Sequence, residues 1–351
     1  MKPVARALAE SGVAPTIVFT GQHPGLLPEE FGLDRYRALG LGEPGREDPH
    51  MHVGAVTKAL LPMLLRQPPD LLMVQGDTSS ALGAALAGFA AGVPVAHVEA
   101  GLRTHDPLLP WPEEEYRVAI DADADLLFAP TEVSAENLQA EQVPGEIHIT
   151  GNTGVDATIE LQASLHAPLV CERGRKRVLA TCHRRESWGD GLAAIASGLA
   201  EIASDGVDVE LILHPNPFVA ERMRGFLART RGVILAEPCG HDELLRRMRN
   251  SDLVLSDSGG IQEEAPALGV PLLVLREKTE RPEGIAAGAS RLVGTDPSRI
   301  VREVRELLAD PAALAAMAQP TFPFGDGRAG RRIASIVVEW LKQRSLTRRL
   351  A

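Results

Sequence analysis

A chain of 351 residues with 44% apolar, 24% charged and only 4% aromatic residues has material for two globular cores packed mainly by Ala, Val and Leu. Its formal net charge of −11 is spread over both halves and excludes a nucleic-acid partner, which needs a basic face, while leaving room for one small anion in a local pocket. Three scattered cysteines, Cys171, Cys182 and Cys239, form neither a disulfide framework nor a zinc knuckle and suit a reducing cytoplasm.

In chain order, residues 2–10 read as a helix leading to a strand at 16–20. A doubly wound sheet would place another strand ahead of that helix. A start at Met1 therefore predicts a gap in the first sheet, with unpaired backbone on both sides, and a natural chain that begins upstream. TGQH (residues 20–23), followed by Pro24 and Gly25, reads as a turn. The longest uncharged run, residues 78–98, matches a membrane span in length, but Gly88, Gly92 and Pro94 resolve it into a buried helix, a turn and a buried strand, with no membrane partner.

That run belongs to a repeat. DLLMVQGDTSSALGAALAGFAAGVPVAHV begins at Asp70, and DLVLSDSGGIQEEAPALGVPLLVL begins at Asp252. Each gives an apolar strand, an acid with small residues, a helical stretch, Gly-Val-Pro and a second apolar strand, which is a βαβ unit written twice. Further strands fit residues 126–129, 146–150, 177–180, 209–213 and 233–236, so the fold class is α/β with two Rossmann-like doubly wound domains. Periodicity fades at 156–175, read as the linker between a domain of residues 1–160 and one of 161–330. PTFPFGDGRAG (320–330) is a loop before a last helix, residues 331–346, expected to return to the first domain.

Charged clusters fall at predicted strand ends, where such sheets bind ligands. QGDTSS (75–80) places Asp77 at one tip and HVEAGLRT (97–104) places Glu99 and Arg103 at the next. PWPEEEYR (110–117) sets Glu113, Glu114, Glu115 and Arg117 at a helix start. Each alone reads equally as a helix cap or surface pair, whereas three acids converging on one crest are harder to explain that way. In the second half, TCHRRES (181–187) supplies His183, Arg184 and Arg185, and LHPNP (213–217) supplies His214. A lone histidine is more often structural, but two beside arginines suit a charged leaving group. SDSGGIQEEAP (256–266) offers backbone N–H groups of Ser258, Gly259 and Gly260 to an anion, then two glutamates, Glu263 and Glu264. REKTERPEG (276–284) is either a solvated loop or a phosphate clamp through Arg281. No GxGxxG, Walker loop, GxSxG or HExxH occurs, which leaves redox-cofactor, NTPase, serine-hydrolase and zincin readings without support.

In this order and without long gaps, TGQH, QGDTSS, HVEAGLRT, PWPEEEYR, HRRES, HPNP, SDSGGIQEEAP and TERPEG resemble the non-hydrolysing UDP-N-acetylglucosamine 2-epimerases, from residue 2 to beyond 295. The resemblance implies a GT-B-like pair of Rossmann-like domains with the substrate in the cleft between them. It also implies a homodimer with no cofactor and no metal. The implied reaction interconverts UDP-GlcNAc and UDP-ManNAc: UDP leaves C1 and a proton leaves C2 to give a glycal, and both return with the proton on the other face. No carbonyl acidifies the C2 hydrogen, so the route needs carboxylates that take and return a proton and cations that stabilise departing UDP.

By position, the resemblance makes Asp77, Glu99 and Glu113 the acids and His183 the leaving-group histidine, with Arg103 and Arg117 balancing the acids. His214, Ser258, Gly259, Gly260, Glu264 and Arg281 correspond to the UDP site, Glu264 on the ribose, with Glu263 a surface or packing residue. Gln22 and His23 fall where some members hold a second, activating UDP-GlcNAc. The sequence departs at Tyr116, where the family has Asn, at residues 237–245, which lack the aromatic pattern of the uracil-facing loop, and at the start, where a GTRPE-containing loop is missing. These departures leave other readings open: an epimerase of a UDP-diacetamido-uronic acid, a hydrolysing epimerase, or a non-catalytic nucleotide-sugar binder.

Overall fold

The computed structural model describes residues 1–22, 36–41, 48–164, 174–182, 184 and 188–350, the side chains of 164 and 347–350 excepted. It divides into two compact units, Met1–Ala157 with Gly325–Ala351, and Thr158–Phe324. The first unit runs through α1 (Lys2–Glu10), β1 (Ile17–Phe19), β2 (Tyr36–Ala38), α2 (Pro49–Arg66), β3 (Leu72–Gln75), α3 (Ser79–Ala91) and β4 (Val95–Val98). It continues through α4 (Glu113–Asp121), β5 (Leu126–Ala129), α5 (Glu132–Ala140) and β6 (Glu146–Ile149), and α6 (Thr153–Ser164) carries the chain across the boundary.

In the second unit follow β7 (Arg177–Thr181), α7 (Asp190–Ser204), β8 (Asp208–Ile212), α8 (Pro217–Leu227), β9 (Val233–Ala236), α9 (His241–Arg249), β10 (Leu253–Ser256) and α10 (Gly259–Leu268). It ends with β11 (Leu272–Val274), α11 (Pro282–Ala286), β12 (Ser290–Leu292), α12 (Pro297–Ala309) and α13 (Pro311–Met317), and the last helix, α14 (Ala329–Leu350), belongs to the first unit.

Among the described residues the first unit has a parallel sheet of order β3-β4-β5-β6 and a separate parallel pair, β1-β2. The uncharged run forms α3, a turn at Gly92 in the left-handed region (φ 67°), and β4, whose four residues are all buried. No helix among the described residues is long and apolar enough to cross a membrane.

The second unit's sheet has the order β12-β11-β10-β7-β8-β9, all pairs parallel. The chain moves outward from β7 to β9, then restarts on the other side of β7 with β10. The switch point therefore lies between the loops after β7 and β10, where doubly wound sheets open a crevice for ligands. Alternation along β7 explains the two cores: Val178 and Ala180 join Leu199, Ile202, Leu211 and Ile300 on one face, while Leu179 joins Leu245, Ile261 and Leu272 on the other.

One expectation changes, and two strands were not foreseen. Residues 156–164, read as linker, are helical within α6, because Val155 and Thr158 supply buried positions on a face too sparse in large apolar residues to show clear periodicity. The short strands β2 and β12, three residues each, carry too few positions to show the alternation that identifies a strand.

Helix α14 begins at a tight joint. Asp156 accepts hydrogen bonds from the N–H groups of Ala329 at 3.0 Å and Gly330 at 2.8 Å, satisfying two donors of the first turn. Gly330 allows close approach to α1, since a Cβ there would meet the Pro3 carbonyl carbon at 2.8 Å. One turn further on, Ile333, Ala334 and Val337 pack with Val4, Ala7 and Leu8. Asp156→Ala should therefore lower the stability of the first unit by about 1–2 kcal/mol, measured by urea unfolding followed by circular dichroism.

Candidate active site

The carboxyl ends of β3 and β4 lie side by side, with Gln75 paired to Val98. Each strand turns through the left-handed region at its tip, at Gly76 (φ 70°) and at Glu99 (φ 71°). This conformation costs a residue with a side chain of order 1 kcal/mol and is typical of ligand sites. Asp77 follows Gly76, so Asp77 and Glu99 stand on neighbouring tips.

Both carboxylates are held. Arg117, whose side chain is almost fully buried, pairs with Asp77 and lies 3.2 Å from Glu114. Glu113, the first residue of α4, is one turn before Arg117, where the positive end of the helix dipole favours a carboxylate. Glu99 accepts a 2.7 Å hydrogen bond from the amide of Asn152, and its other oxygen lies 3.0 Å from where a Gly76 Cβ would stand. A glycine at 76 thus leaves space for the Glu99 carboxylate.

Adjacent glutamates have separate places because successive helix positions face about 100° apart. Glu114 is buried and accepts from the N–H groups of Thr104 at 2.9 Å and His105 at 3.0 Å, fixing the loop after β4. Glu115 is exposed. Tyr116 is buried, with its ring edge-on to His50 and its hydroxyl 3.3 Å from His50 Nδ1. Arg103, read above as a counter-charge for the three acids, instead forms a forked pair with Glu141 at 2.7 Å and meets Asp121 at 2.8 Å. The Gln22 side chain accepts from the Ser80 N–H at 3.2 Å in the first turn of α3. His23, His183 and Arg185 lie outside the described residues.

In the second unit the loops at the switch point are joined. Thr181 and Ser256 hydroxyls meet at 2.7 Å, and buried Asp257 accepts the Arg184 N–H at 2.9 Å. Helix α10 starts at Ser258 without a side-chain cap. The Ser258 N–H donates to the Ser256 hydroxyl at 3.0 Å, so of the three N–H groups singled out in the sequence only those of Gly259 and Gly260 stay in the open first turn. A Cβ at Gly259 would meet Arg281 Nη1 at 2.7 Å and Arg184 Nη2 at 3.3 Å, so two guanidinium groups converge on the same bare backbone.

The charge of Arg281 is balanced from behind. Glu263 accepts from its Nε at 2.6 Å and Glu280 pairs with its Nη1; Glu280 is also 2.8 Å from Arg276 and 3.6 Å from Arg184. Glu263 is therefore a buried charge partner, correcting the reading of it as a surface or packing residue. Glu264, on the next face of the helix, accepts from His241 Nε2 at 2.8 Å. His214 Nδ1 accepts the Asn216 N–H at 2.8 Å, and its ring stands edge-on to Trp188. Among the described residues, no group of three or more His, Cys, Asp or Glu side chains converges to hold a metal ion.

A family model described as UDP-N-acetylglucosamine 2-epimerase matches residues 6–338. The chain belongs to the UDP-N-acetylglucosamine 2-epimerase family. It is 40% identical to the UDP-N-acetylglucosamine 2-epimerase of Escherichia coli K12 over 352 aligned positions, covering 95% of this chain and 93% of that one. Its structure is similar to that of the Neisseria meningitidis UDP-GlcNAc 2-epimerase bound to UDP-GlcNAc, with TM-score 0.91, 33% identity and coverage of 97% and 96%. It is likewise similar to the Methanocaldococcus jannaschii enzyme in complex with UDP-GlcNAc and UDP, with TM-score 0.84, 32% identity and coverage of 96% and 95%. The fold class is accordingly α/β of the GT-B-like kind.

Two partners of the residues above were not singled out in the sequence, Asn152 and Glu280. Asn152 follows β6 at a strand tip, the same position that drew attention to Asp77 and Glu99. Glu280 stood inside a charge run and gave no signal, since its value lies in three arginines that approach it only in the folded chain.

The hydrogen bond that His241 donates to Glu264 holds the His241 pKa above the ordinary histidine range, against the opposing effect of burial. The folded state thus binds this proton more tightly than the unfolded state. Its contribution to stability is full below the unfolded value of about 6.5 and is lost as pH rises through the raised folded value. An NMR titration of His241 should give a midpoint above about 6.5, and Glu264→Gln should lower it.

Proposed function

We propose that this protein is an isomerase that reversibly epimerises UDP-N-acetylglucosamine and UDP-N-acetylmannosamine at C2, by the non-hydrolysing route. The observation that carries the reading is the acidic crest of the first unit. Asp77 and Glu99 occupy adjacent strand tips, and Glu113 starts the helix whose Arg117 holds Asp77.

Such a crest suits the reaction's main difficulty. One carboxylate removes the C2 proton as the C1–O bond to UDP breaks, leaving a C1=C2 double bond and UDP. A carboxylic acid on the opposite face then returns a proton to C2 while UDP re-forms the bond to C1, so nothing is lost or gained. Arg117 offsets the charge of Asp77, which allows several acids to crowd one sugar. Departing UDP needs cations and oriented N–H groups, and this reading assigns that part to the start of α10 with Arg281 and Arg184, which converge on Gly259. In this reading Glu264 receives the ribose hydroxyls, exchanging its bond to His241 for them, and His183 stabilises the leaving group. Arg103 serves the site indirectly through the loop it braces. A cytoplasmic homodimer belongs to the same reading, and Gln22 with His23 to a second nucleotide-sugar site.

Incubation with UDP-GlcNAc in D2O, followed by NMR, tests the proposal. Deuterium should enter C2 of both epimers with UDP retained, whereas free UDP with ManNAc would overturn it. Asp77→Asn and Glu113→Gln should each slow exchange by about 10²–10⁴-fold; full exchange in either would remove that residue from the mechanism.

A further inference from the structure

His97 stands third in β4, where its neighbours are Val95, Ala96 and Val98, and it is fully buried. A sheet core does not require a histidine there. Its Nε2 lies 2.9 Å from the Gly76 carbonyl, which can only accept, so Nε2 carries a proton. Its Nδ1 lies 2.5 Å from Oδ1 of Asp121, which is also fully buried at the end of α4. Burial alone would depress the imidazole's pKa, but the Asp121 carboxylate and the Gly76 carbonyl outweigh it and hold His97 above the ordinary histidine range. Both ring nitrogens then donate.

The second oxygen of Asp121 accepts the Gly101 N–H at 3.0 Å and meets Arg103 at 2.8 Å. Gly101 sits at φ 82° with no room for a side chain, since a Cβ would stand 2.1 Å from the Ser134 carbonyl oxygen. One carboxylate thereby holds both turns of the crest: the turn of Gly76 and Asp77 through His97, and the turn of Glu99 to Gly101 directly. The Glu99 carboxylate also rests against Gly76, so a shift of that glycine would disturb both acids.

We propose that the buried His97–Asp121 couple is a positioning unit that fixes Asp77 and Glu99 relative to one another through the Gly76 carbonyl and the Gly101 N–H. It touches neither substrate nor reacting atoms. A role confined to stability is a weaker explanation, because a buried ion pair is seldom more stabilising than apolar residues of the same volume.

The inference rests on the proposed reaction, and two variants separate them. Glutamine's Nε2 can replace the histidine Nε2 bonded to Gly76, whereas asparagine's Nδ2 can replace only the Nδ1 facing Asp121. His97→Asn should lower kcat for UDP-GlcNAc epimerisation by about 100-fold with KM within about threefold, and His97→Gln should recover at least about tenfold of that loss. Thermal unfolding and UDP binding are measured alongside to show that both variants fold. Equal kcat for the two variants, or a rise in KM at unchanged kcat, overturns the positioning role. If His97→Asn does not fold, folded His97→Gln decides alone: kcat above about a tenth of wild type supports the proposal and a lower value overturns it. Turnover by the wild-type protein tests the reaction itself, so its absence is distinguishable from failure of the couple.

Discussion

Carboxylates crowded at the ends of parallel strands repel one another, and burial removes the water that would screen them. The arrangement of both units follows from this constraint. In the first unit Arg117 lies beneath Asp77 and Glu114, while Arg103 lies between Asp121 and Glu141. Each guanidinium serves two acids because its planar fork presents donors in several directions. In the second unit the roles reverse. Three arginines, Arg184, Arg276 and Arg281, surround buried Glu280, with Glu263 on the far side of Arg281. There acids hold cations in place, where in the first unit cations hold acids.

Much of this organisation was legible in the chain. Apolar runs ending in an acid and small residues gave the βαβ repeat, because strands buried on both faces leave a continuous signature and their tips cannot be apolar. The positions of Asp77, Glu99 and Ser258 at strand ends followed from that alone. The partners did not. Arg103 finds Glu141 across 38 residues and Arg117 finds Asp77 across 40, separations set by how α4 and α5 pack on the sheet. Arg103 therefore looked like part of the acidic crest when it braces the loop behind it.

The glutamates of α10 show the same limit at short range. Glu263 and Glu264 are neighbours in sequence and indistinguishable in kind, yet one meets Arg281 and the other His241. Helical geometry states that they must face apart; it does not state which meets which partner. That choice came from the loop carrying Arg281, which returns 18 residues later.

The two halves of the repeat diverge at one residue of the helix start. In the first, Thr78 caps α3 with its own side chain, accepting the Ala81 N–H, and the acid before it, Asp77, is partly buried and paired with Arg117. In the second, Ser258 offers α10 no side-chain cap, and the acid before it, Asp257, is fully buried and joins the β7 loop through the Arg184 N–H. A capped helix start has fewer N–H groups to offer a negative group, and an uncapped start has more. The same βαβ pattern thus leaves a partly exposed acid before a capped helix in one unit and a buried acid before an uncapped helix in the other, and the difference is written in which side chain reaches the first turn.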